Sequence, residues 1–412
     1  MSNSAGSRLL IIQYAGDMRE AYRLLKLTGK QEYYSHKYIL TQTAEIGRRI
    51  GEVIYLCCKT DVAYDEVLEP GLRAVGGNLD PYHDTGPLVA LIARLQPTHL
   101  AMHFPSIAAI RWAVRHRVKT IGLLADSFEE KGLLARIRHV RLARLFNHPG
   151  VDFVTNHGLN SCRSLESIGV NPDKIVPWDF PYELSPRDFA VKTLSQSEIC
   201  DRNLVYVGLM AESKGVGDIL EALARLKAEN LRPKLTLIGR GDLAVFEAQV
   251  ARLGLEDQVD IAGGVPHSQV VEKMRWADIM LVPSRHEYPE GLPLTIYEAL
   301  TVRTPLVMSD HPMFLNNFEP GQDVLMFPQK NAEALAQCIK TLLLDADTYK
   351  TLSTRSLEAW SRLQLPVKWH QVLEQWVSDT AEGHAWLAQH SLTQHAYEQQ
   401  LNGAGRLEPS LT

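Results

Sequence analysis

The most informative stretch of the sequence is Pro283–Leu300, which reads PSRHEYPEGLPLTIYEAL. It follows a strand-like apolar run at Ile279–Val282 and passes through a Gly-Leu-Pro turn into a predicted helix that begins at Leu294. Ligands of open parallel sheets bind at the carboxyl ends of the strands. The stretch therefore predicts a ligand site where a buried strand leads into a helix.

Two carboxylates of this stretch, Glu290 and Glu298, are eight positions apart. Glu290 lies in the predicted loop, and Glu298 lies about one turn into the predicted helix. The N–H groups at a helix start attract anions such as phosphate, and a carboxylate nearby can accept hydrogen bonds from sugar hydroxyls. Two glutamates at this spacing often occur by chance, but the flanking Pro-Ser, Gly-Leu-Pro and Glu-Ala-Leu segments argue against chance here.

Short apolar runs alternate with helical patterns along most of the chain. Such runs are typical of parallel strands buried on both faces, and the alternation indicates crossover connections. The runs of the first half are Leu9–Gln13, Val53–Cys58, Thr98–His103, Lys119–Ala125, Asp152–Thr155 and Lys174–Pro177. Those of the second half are Asn203–Val207, Lys234–Ile238, Val259–Ala262, Ile279–Val282, Pro305–Met308 and Val324–Phe327. The sequence thus predicts two parallel α/β sheets.

The length of 412 residues suits two or three domains. Phe180–Asp201 contains two prolines and no clear periodicity, which indicates a linker. Helical spacing over Lys368–His390 predicts terminal helices whose tryptophans pack on a core. We predict an N-terminal domain over 1–185, a C-terminal domain over 186–365 and terminal helices over 366–412.

Charge and cysteine content argue against several classes of protein. The 43 basic and 48 acidic residues give a net charge of −5, which disfavours a nucleic-acid-binding protein. The five cysteines contain no C-x-x-C pair, so we expect reduced thiols and no metal site. The sequence has no signal-peptide pattern and no run of 18 apolar residues, and we expect a cytoplasmic location.

Several segments of the second half resemble, in the same order, the motifs of retaining GT-B glycosyltransferases of the group 1 (family 4) type. The pair Glu290 and Glu298 matches the E-x7-E signature of that family. The remaining segments are Val207-Gly208 with Lys214-Gly215, Leu237–Gly241, Gly264-Val265-Pro266 with Trp276-Ala277-Asp278, Thr304-Pro305 with Ser309-Asp310, and Asn331–Leu335. The ordered series spans roughly residues 203–345 and is more specific than any single motif.

The resemblance implies a GT-B fold, in which two Rossmann-like domains face each other across a cleft and the C-terminal helices cross back to the N-terminal domain. It implies transfer of a hexose from a UDP- or GDP-sugar to a hydroxyl of a glycan, lipid-linked or small-molecule acceptor, with retention, in polysaccharide or glycoconjugate biosynthesis. No metal or cofactor is expected, because lysine, backbone amides and helix dipoles can hold the diphosphate. Another GT-B enzyme, such as an epimerase, and a catalytically weak scaffold subunit of a glycan assembly complex stay open as alternatives.

The family pattern also implies roles for individual residues. Glu290 would lie by the donor sugar, Glu298 would hold the ribose, and Lys214, at a strand–loop–helix junction, would face the diphosphate. The other donor-binding positions are Gly16, Gly215, Gly239, Arg240, Val265, Gly291 and Leu292.

The chain departs from the family pattern at Leu209, where an arginine is usual. Loss of one such donor costs about 3–4 kcal/mol of transition-state stabilisation unless another group replaces it. Arg240 and Arg285 are the candidates for that replacement.

Two residues of the first half are further candidates. His103, in a stretch that resembles the family's H-x-H-x-P, is predicted on the acceptor side, with a core or loop position as the alternative. Asp126, near a position where the family often has a histidine, is predicted to contact the donor sugar or the acceptor hydroxyl. The alternative for Asp126 is a helix N-cap together with Ser127.

The segment Lys131–Arg144, KGLLARIRHVRLAR, has five basic residues and no acidic one. Leucine, isoleucine and valine interleave with the arginines. A basic amphipathic helix of this kind can lie on an anionic membrane surface, which would make the protein peripheral on the inner face of the membrane. The alternative is an ordinary helix whose arginines are solvated or contact an anionic acceptor.

Overall fold

The computed structural model describes residues 6–31, 33–129, 132–194, 201–394 and 397. These residues form two compact units. Unit 1 contains the described residues up to Pro181 together with those from Leu365 to Tyr397, and unit 2 contains those from Tyr182 to Gln364. No helix within the described ranges is long and apolar enough to cross a membrane.

Unit 1 is built on an eight-stranded sheet. Its strands are β1 (Ser7–Ala15), β2 (Gly51–Lys59), β3 (Tyr64–Glu69), β4 (Leu72–Gly76), β5 (His99–Met102), β6 (Lys119–Leu124), β7 (Phe153–His157) and β8 (Ile175–Trp178). The spatial order is β3-β4-β2-β1-β5-β6-β7-β8, and every neighbouring pair is parallel except β3 and β4. The six predicted strands of this half are therefore present with ends shifted by one or two residues, whereas β3 and β4 were not predicted.

Helices join the strands of unit 1 as crossovers. They are α1 (Met18–Thr28), α2 (Ser35–Ile50), α3 (Thr85–Leu95), α4 (Ile107–His116), α5 (Leu133–Phe146) and α6 (Leu159–Ser167). The core lies on both faces of the sheet: Leu9, Leu10, Ile11 and Ile12 of β1 have no exposed surface. Side chains of a strand alternate between the two faces, so this run of four is buried from both sides.

Unit 2 has a six-stranded sheet in which all neighbouring strands are parallel. Its strands are β9 (Asn203–Val207), β10 (Lys234–Ile238), β11 (Val259–Gly263), β12 (Ile279–Val282), β13 (Leu306–Ser309) and β14 (Leu325–Phe327), in the order β11-β10-β9-β12-β13-β14. Its helices are α7 (Val216–Ala228), α8 (Leu243–Leu253), α9 (His267–Trp276), α10 (Leu294–Thr301), α11 (Ala332–Leu344) and α12 (Ala346–Leu363). All six predicted strands of the second half are present.

The chain then returns to unit 1 as α13 (Trp369–Val377) and α14 (Ala381–Gln389). The helical pattern of this region is interrupted at Asp379, whose φ of 56° is left-handed, and the Thr380 side chain caps α14. Trp369 and Trp376 are fully buried, and Trp376 Nε1 donates to Asp152 Oδ2 at 2.8 Å. The predicted return of the C-terminal helices and their packing by tryptophan are confirmed.

The predicted domain limits at 185/186 and 365/366 stay predictions. The compact units change at 181/182 and 364/365. Residues 195–200 of the predicted linker and residues 398–412 of the predicted terminal segment lie outside the described residues.

Candidate active site

The predicted donor-binding residues of unit 2 lie in loops that follow four neighbouring strands. Lys214 follows β9, Arg240 follows β10, Val265 follows β11, and Glu290 follows β12, while Glu298 lies in α10. Because β11, β10, β9 and β12 are adjacent and parallel, their carboxyl ends share one edge of the sheet. The structure thus gathers at one edge residues that are spread over 85 positions of sequence.

Lys214 and Glu290 form an ion pair in this group of loops. The Lys214 Nζ contacts Oε1 of Glu290, and the Ser284 hydroxyl donates to the same oxygen at 2.5 Å. The Lys214 Nζ also lies 4.1 Å from the centre of the Tyr288 ring. The two charged side chains are only 12% and 6% exposed, so each compensates a charge that is largely removed from water. Their direct contact was not predicted from the sequence.

Glycines allow these loops to approach each other closely. Gly215 has a left-handed φ of 74°, and a Cβ there would lie 2.2 Å from the carbonyl oxygen of Pro283. At Gly239, with φ of 154°, a Cβ would lie 1.7 Å from the carbonyl oxygen of Gly208. No larger residue fits at either position without moving the backbone. Gly215 thereby places Lys214 against the loop that bears Glu290.

Glu298 pairs with a histidine that sequence reasoning missed. His267, the first residue of α9, donates from Nε2 to Oε1 of Glu298 at 2.5 Å. Both side chains are about nine-tenths buried, at 12% and 8% exposed. The available signal was the position of His267 directly after Val265-Pro266, in the loop already predicted to bind the donor. Leu292 is also buried, and Gly291 is half-buried.

Arg285 is already neutralised inside unit 2. Its guanidinium donates to both carboxylate oxygens of Asp218, at 2.9 and 2.8 Å, and to Glu212 at 2.5 Å. The hydrogen bonds to Asp218, with the charges of both carboxylates, raise the pKa of Arg285. Its backbone N–H donates to the Ser213 carbonyl at 2.9 Å. Arg285, one of the two candidates for the missing positive charge, is thus paired with two carboxylates and joins the loop of Lys214 to the loop of Glu290.

Leu209, at the position of the missing arginine, is 45% exposed. Arg240 is exposed and lies against the β11 loop: a Cβ at Gly264 would be 3.1 Å from its Cγ and 3.2 Å from its Nε. The bare backbone of Gly264 makes room for that side chain next to half-buried Val265. Arg240 thus stays the candidate for the missing positive charge.

In unit 1, three predicted residues follow neighbouring strands at one edge of the sheet. Gly16 follows β1 with a left-handed φ of 91°, and nothing lies within 4 Å of a Cβ built there. His103 follows β5 and packs against Trp369, with ring centres 6.2 Å apart. Burial lowers the pKa of His103 to about 4, and within the described residues its buried Nε2 has no hydrogen-bond partner. The packing of His103 against Trp369 agrees with a core position. Its Nε2 atom, which has no hydrogen-bond partner among the described residues, agrees with a position in the site.

Asp126 follows β6 and is half-buried. Burial raises the pKa of its carboxyl to about 6. The alternative N-cap role with Ser127 is wrong, because the following helix α5 begins at Leu133 after Gly132 and residues 125–129 are not helical.

The predicted basic helix is present as α5, although Lys131 lies outside the described residues. Arg136, Arg138, Arg141 and Arg144 are all exposed. Large apolar side chains on the same helix are exposed as well, with Leu133 at 74% and Leu134 at 83%. A groove of about 590 Å³ beside them is lined by Gly132, Leu133, Arg136, His139, Val140, Ser167 and Ile168.

Comparison with known proteins places this architecture. Anabaena HepE in complex with UDP and glucose superposes with a TM-score of 0.63 at 15% identity, over 91% of this chain and 100% of that one. Sucrose-phosphate synthase from Thermosynechococcus elongatus gives a TM-score of 0.66 at 16% identity, over 92% and 99%. At these identities the likeness shows the fold alone, which is GT-B.

The sequence of unit 2 is similar to one family of enzymes. Residues 197–358 match the model of the glycosyl transferases group 1 family. The amylovoran biosynthesis glycosyltransferase AmsK of Erwinia amylovora is 32% identical over 42% of this chain and 40% of its own length. The putative colanic acid biosynthesis glycosyltransferase WcaL of Salmonella typhimurium is 28% identical over 47% and 48%. The chain spans less than half the length of these curated relatives.

Proposed function

We propose that this protein transfers a hexose from a nucleotide diphosphate sugar, linked to UDP or GDP, to an acceptor hydroxyl in polysaccharide or glycoconjugate biosynthesis. The observation that carries the proposal is the contact of Lys214 with Glu290. It lies at the same edge of the unit 2 sheet as the buried Glu298–His267 pair. The family match of unit 2 supports it, as do relatives named for amylovoran and colanic acid biosynthesis and a fold neighbour solved with UDP and glucose.

The Lys214–Glu290 pair suits a donor that has both a diphosphate and a sugar. An incoming phosphate would take the ammonium of Lys214, and the freed Glu290 carboxylate would accept hydrogen bonds from sugar hydroxyls. The N–H groups of the first turn of α10 add favourable charge for the diphosphate. Fixed donors of this kind stabilise the charge that develops on a departing diphosphate.

The transfer breaks the bond between the anomeric carbon and the diphosphate oxygen and forms a bond from that carbon to the acceptor oxygen. With retention, the acceptor approaches on the face that the diphosphate leaves, and the leaving phosphate takes the acceptor proton. Glu290 acts here as a stabiliser of the donor sugar, and no covalent intermediate on a side chain is required. His103 and Asp126 are proposed on the acceptor side, with the Asp126 carboxylate available to accept a hydrogen bond from a hydroxyl.

Metal independence is part of the same proposal. The groups that would hold the diphosphate are Lys214 and backbone amides, which need no divalent ion. Transfer in excess EDTA should equal transfer without it, and a loss of activity that Mg²⁺ or Mn²⁺ restores would contradict this part.

We also propose that α5 places the protein on the cytoplasmic face of an anionic membrane, where a lipid-linked acceptor would be available. Its exposed Leu133 and Leu134 can enter the headgroup region while the four exposed arginines meet anionic lipids. Sedimentation with vesicles of phosphatidylglycerol should carry down the wild type and much less of the variant Leu133→Ser/Leu134→Ser. Equal sedimentation of both would contradict the proposal.

The transfer reaction is tested with Lys214→Ala and Glu290→Ala in an assay that separates glycosylated product from free nucleotide. We expect each variant to lose about 10²–10³-fold in turnover. The matched control is Glu287→Ala, since Glu287 lies in the same loop but is 45% exposed and pairs with Lys330 at 3.0 Å. Unchanged transfer in the two site variants would overturn the site assignment. A wild type that consumes no nucleotide sugar would favour the scaffold alternative, and an isomerised nucleotide sugar would favour an epimerase.

A further inference from the structure

An exposed tyrosine rests on two other aromatic rings at the edge of the unit 1 sheet. Tyr82, in the loop between β4 and α3, is 53% exposed. Its ring centre lies 5.2 Å from that of Tyr14, which is near the end of β1, and 5.7 Å from that of Phe104, which follows β5. Tyr14 and Phe104 also touch each other, with ring centres 6.1 Å apart. The ring of Tyr82 therefore packs on the rings of Tyr14 and Phe104, while about half of the residue's surface is exposed.

Hydrogen bonds hold this aromatic cluster in place. The backbone N–H of Tyr82 donates to Oδ1 of Asp80 at 2.9 Å. The ammonium of Lys59 bridges the two sides, because it donates to the Tyr14 hydroxyl at 2.8 Å and pairs with Oδ2 of Asp80 at 2.9 Å. A ring that is already ordered loses little conformational entropy when a ligand packs on it.

The carboxylate of Asp126 lies at the same edge of the sheet as this aromatic cluster. Burial, and next the charge of Asp126, raise the pKa of Tyr82 to about 12. Asp126 follows β6, the strand adjacent to β5, and Phe104 follows β5, so the carboxylate and the aromatic cluster share one edge of the sheet. The arrangement offers an apolar ring face and a hydrogen-bond acceptor at one edge of the sheet.

We propose that Tyr82, supported by Tyr14 and Phe104, is a stacking platform for a sugar ring, and that Asp126 accepts a hydrogen bond from a hydroxyl of the same sugar. This rests on the proposed transferase function and deepens it: the acceptor presents a saccharide, not a bare lipid or an aglycone, at its receiving end. The C–H groups of a pyranose face pack on an aromatic ring, and its equatorial hydroxyls point outward toward polar groups.

A second exposed tyrosine of unit 1, Tyr33, can be compared with Tyr82. Tyr33 of unit 1 is even more exposed, at 59%, but its ring contacts only His36 among the described aromatic rings, with centres 5.0 Å apart. Exposure alone therefore does not distinguish Tyr82 from Tyr33. Tyr82 differs in its two supporting rings, in the Lys59 bridge and in sharing a sheet edge with Asp126.

The proposal is tested by saturation-transfer NMR on the full chain with methyl glycosides of glucose, galactose, mannose, N-acetylglucosamine and glucuronic acid. In the wild type we expect transfer to the ring C–H protons of at least one glycoside. Tyr82→Ala should reduce that signal about five- to tenfold, while Tyr82→Phe keeps it. Tyr33→Ala is the matched control and should not change it. Asp126→Asn should weaken it less than Tyr82→Ala does.

Two further measurements separate this proposal from the transferase proposal. Glu290→Ala should keep the glycoside signal, and UDP and GDP binding measured by calorimetry should be the same for Tyr82→Ala and the wild type. A glycoside signal that depends on Glu290 and not on Tyr82, or no signal from any glycoside, would overturn the platform. If neither UDP nor GDP bound the wild type while the Tyr82-dependent signal persisted, the transferase proposal would fail and the saccharide site would stand.

Discussion

The carboxylates that follow the strands of the two units differ in whether they have a charged partner. In unit 2, Glu290 and Glu298 are buried, and each has a cationic or potentially cationic partner in Lys214 or His267. In unit 1, Asp126 is half-buried, no ion pair to it is present among the described residues, and burial raises its pKa to about 6.

This difference indicates two kinds of site. Paired charges are suited to a ligand that brings its own charge and hydroxyls, because the ligand replaces one partner with another. A desolvated, unpaired carboxyl beside aromatic rings is suited to a neutral polar ligand that offers hydroxyls. The comparison agrees with a diphosphate-sugar donor on unit 2 and a saccharide on unit 1.

The largest effect is expected from breaking the charge pair of unit 2 on one side only. Lys214→Met leaves the Glu290 carboxylate buried without its cation, and should lower the free energy of unfolding by about 3–5 kcal/mol. The double variant Lys214→Met/Glu290→Gln removes both charges and should recover most of the loss. Urea unfolding followed by circular dichroism measures both. If Lys214→Met is as stable as the wild type, the pair is solvated. The carboxylates of unit 2 then depend on their cationic partners no more than Asp126 does in unit 1.

A pH-dependent effect is expected from Asp126 in unit 1. Its folded pKa of about 6 exceeds the ordinary value of 3.8, so the folded chain binds the proton more tightly than the unfolded chain. This group therefore lowers stability progressively as pH rises from about 4 to above 6. Asp126→Asn removes that penalty.

Relative to the wild type, Asp126→Asn should gain at most about 3 kcal/mol of unfolding free energy between pH 4 and pH 8. Unfolding curves of the two proteins at both pH values give this difference, and the exposed Asp61→Asn controls for the amide substitution itself. If the stability difference between variant and wild type is the same at both pH values, the pKa of Asp126 is not raised by folding, and the contrast with unit 2 fails.

A smaller effect is expected at Arg285, which joins the loops of the unit 2 site. Arg285→Lys keeps the charge but loses the two-pronged contact with Asp218, so Lys214 should be held less accurately. We expect turnover to fall about tenfold, with the KM for the nucleotide sugar changed much less. Arg252→Lys is the control, because Arg252 is 64% exposed and pairs with Glu221 at 2.8 Å. Equal turnover of Arg285→Lys and the wild type would show that the loops need no such fastening.

The sequence predicted the parallel sheets because their strands are continuous apolar runs, as at Ile279–Val282. It did not predict β3, whose residues YDEVLE are mostly polar and partly exposed, since an edge strand paired antiparallel buries little apolar surface. The break at Asp379 was also missed, because a left-handed residue between two apolar stripes leaves the helical spacing almost unchanged.

For the candidate site, motif order was sufficient to gather Lys214, Glu290 and Glu298 at one sheet edge, because parallel strands present their carboxyl ends together. The partners of those residues depend on distances that only the folded backbone sets. The Lys214–Glu290 contact joins positions 76 apart, and the His267–Glu298 contact joins positions 31 apart. The pairing of Arg285 with Asp218, 67 positions away, could not be predicted for the same reason.

The return of α13 and α14 to unit 1 determines the order in which the chain can fold during synthesis. The described part of unit 2 is a continuous segment, whereas unit 1 needs Trp369 and Trp376, both fully buried, to close its core. A ribosome adds those tryptophans only after the described part of unit 2 has been synthesised, and domains generally fold as units. The core of unit 1 is therefore completed only after α13 and α14 have been synthesised, and until then part of its apolar surface stays uncovered.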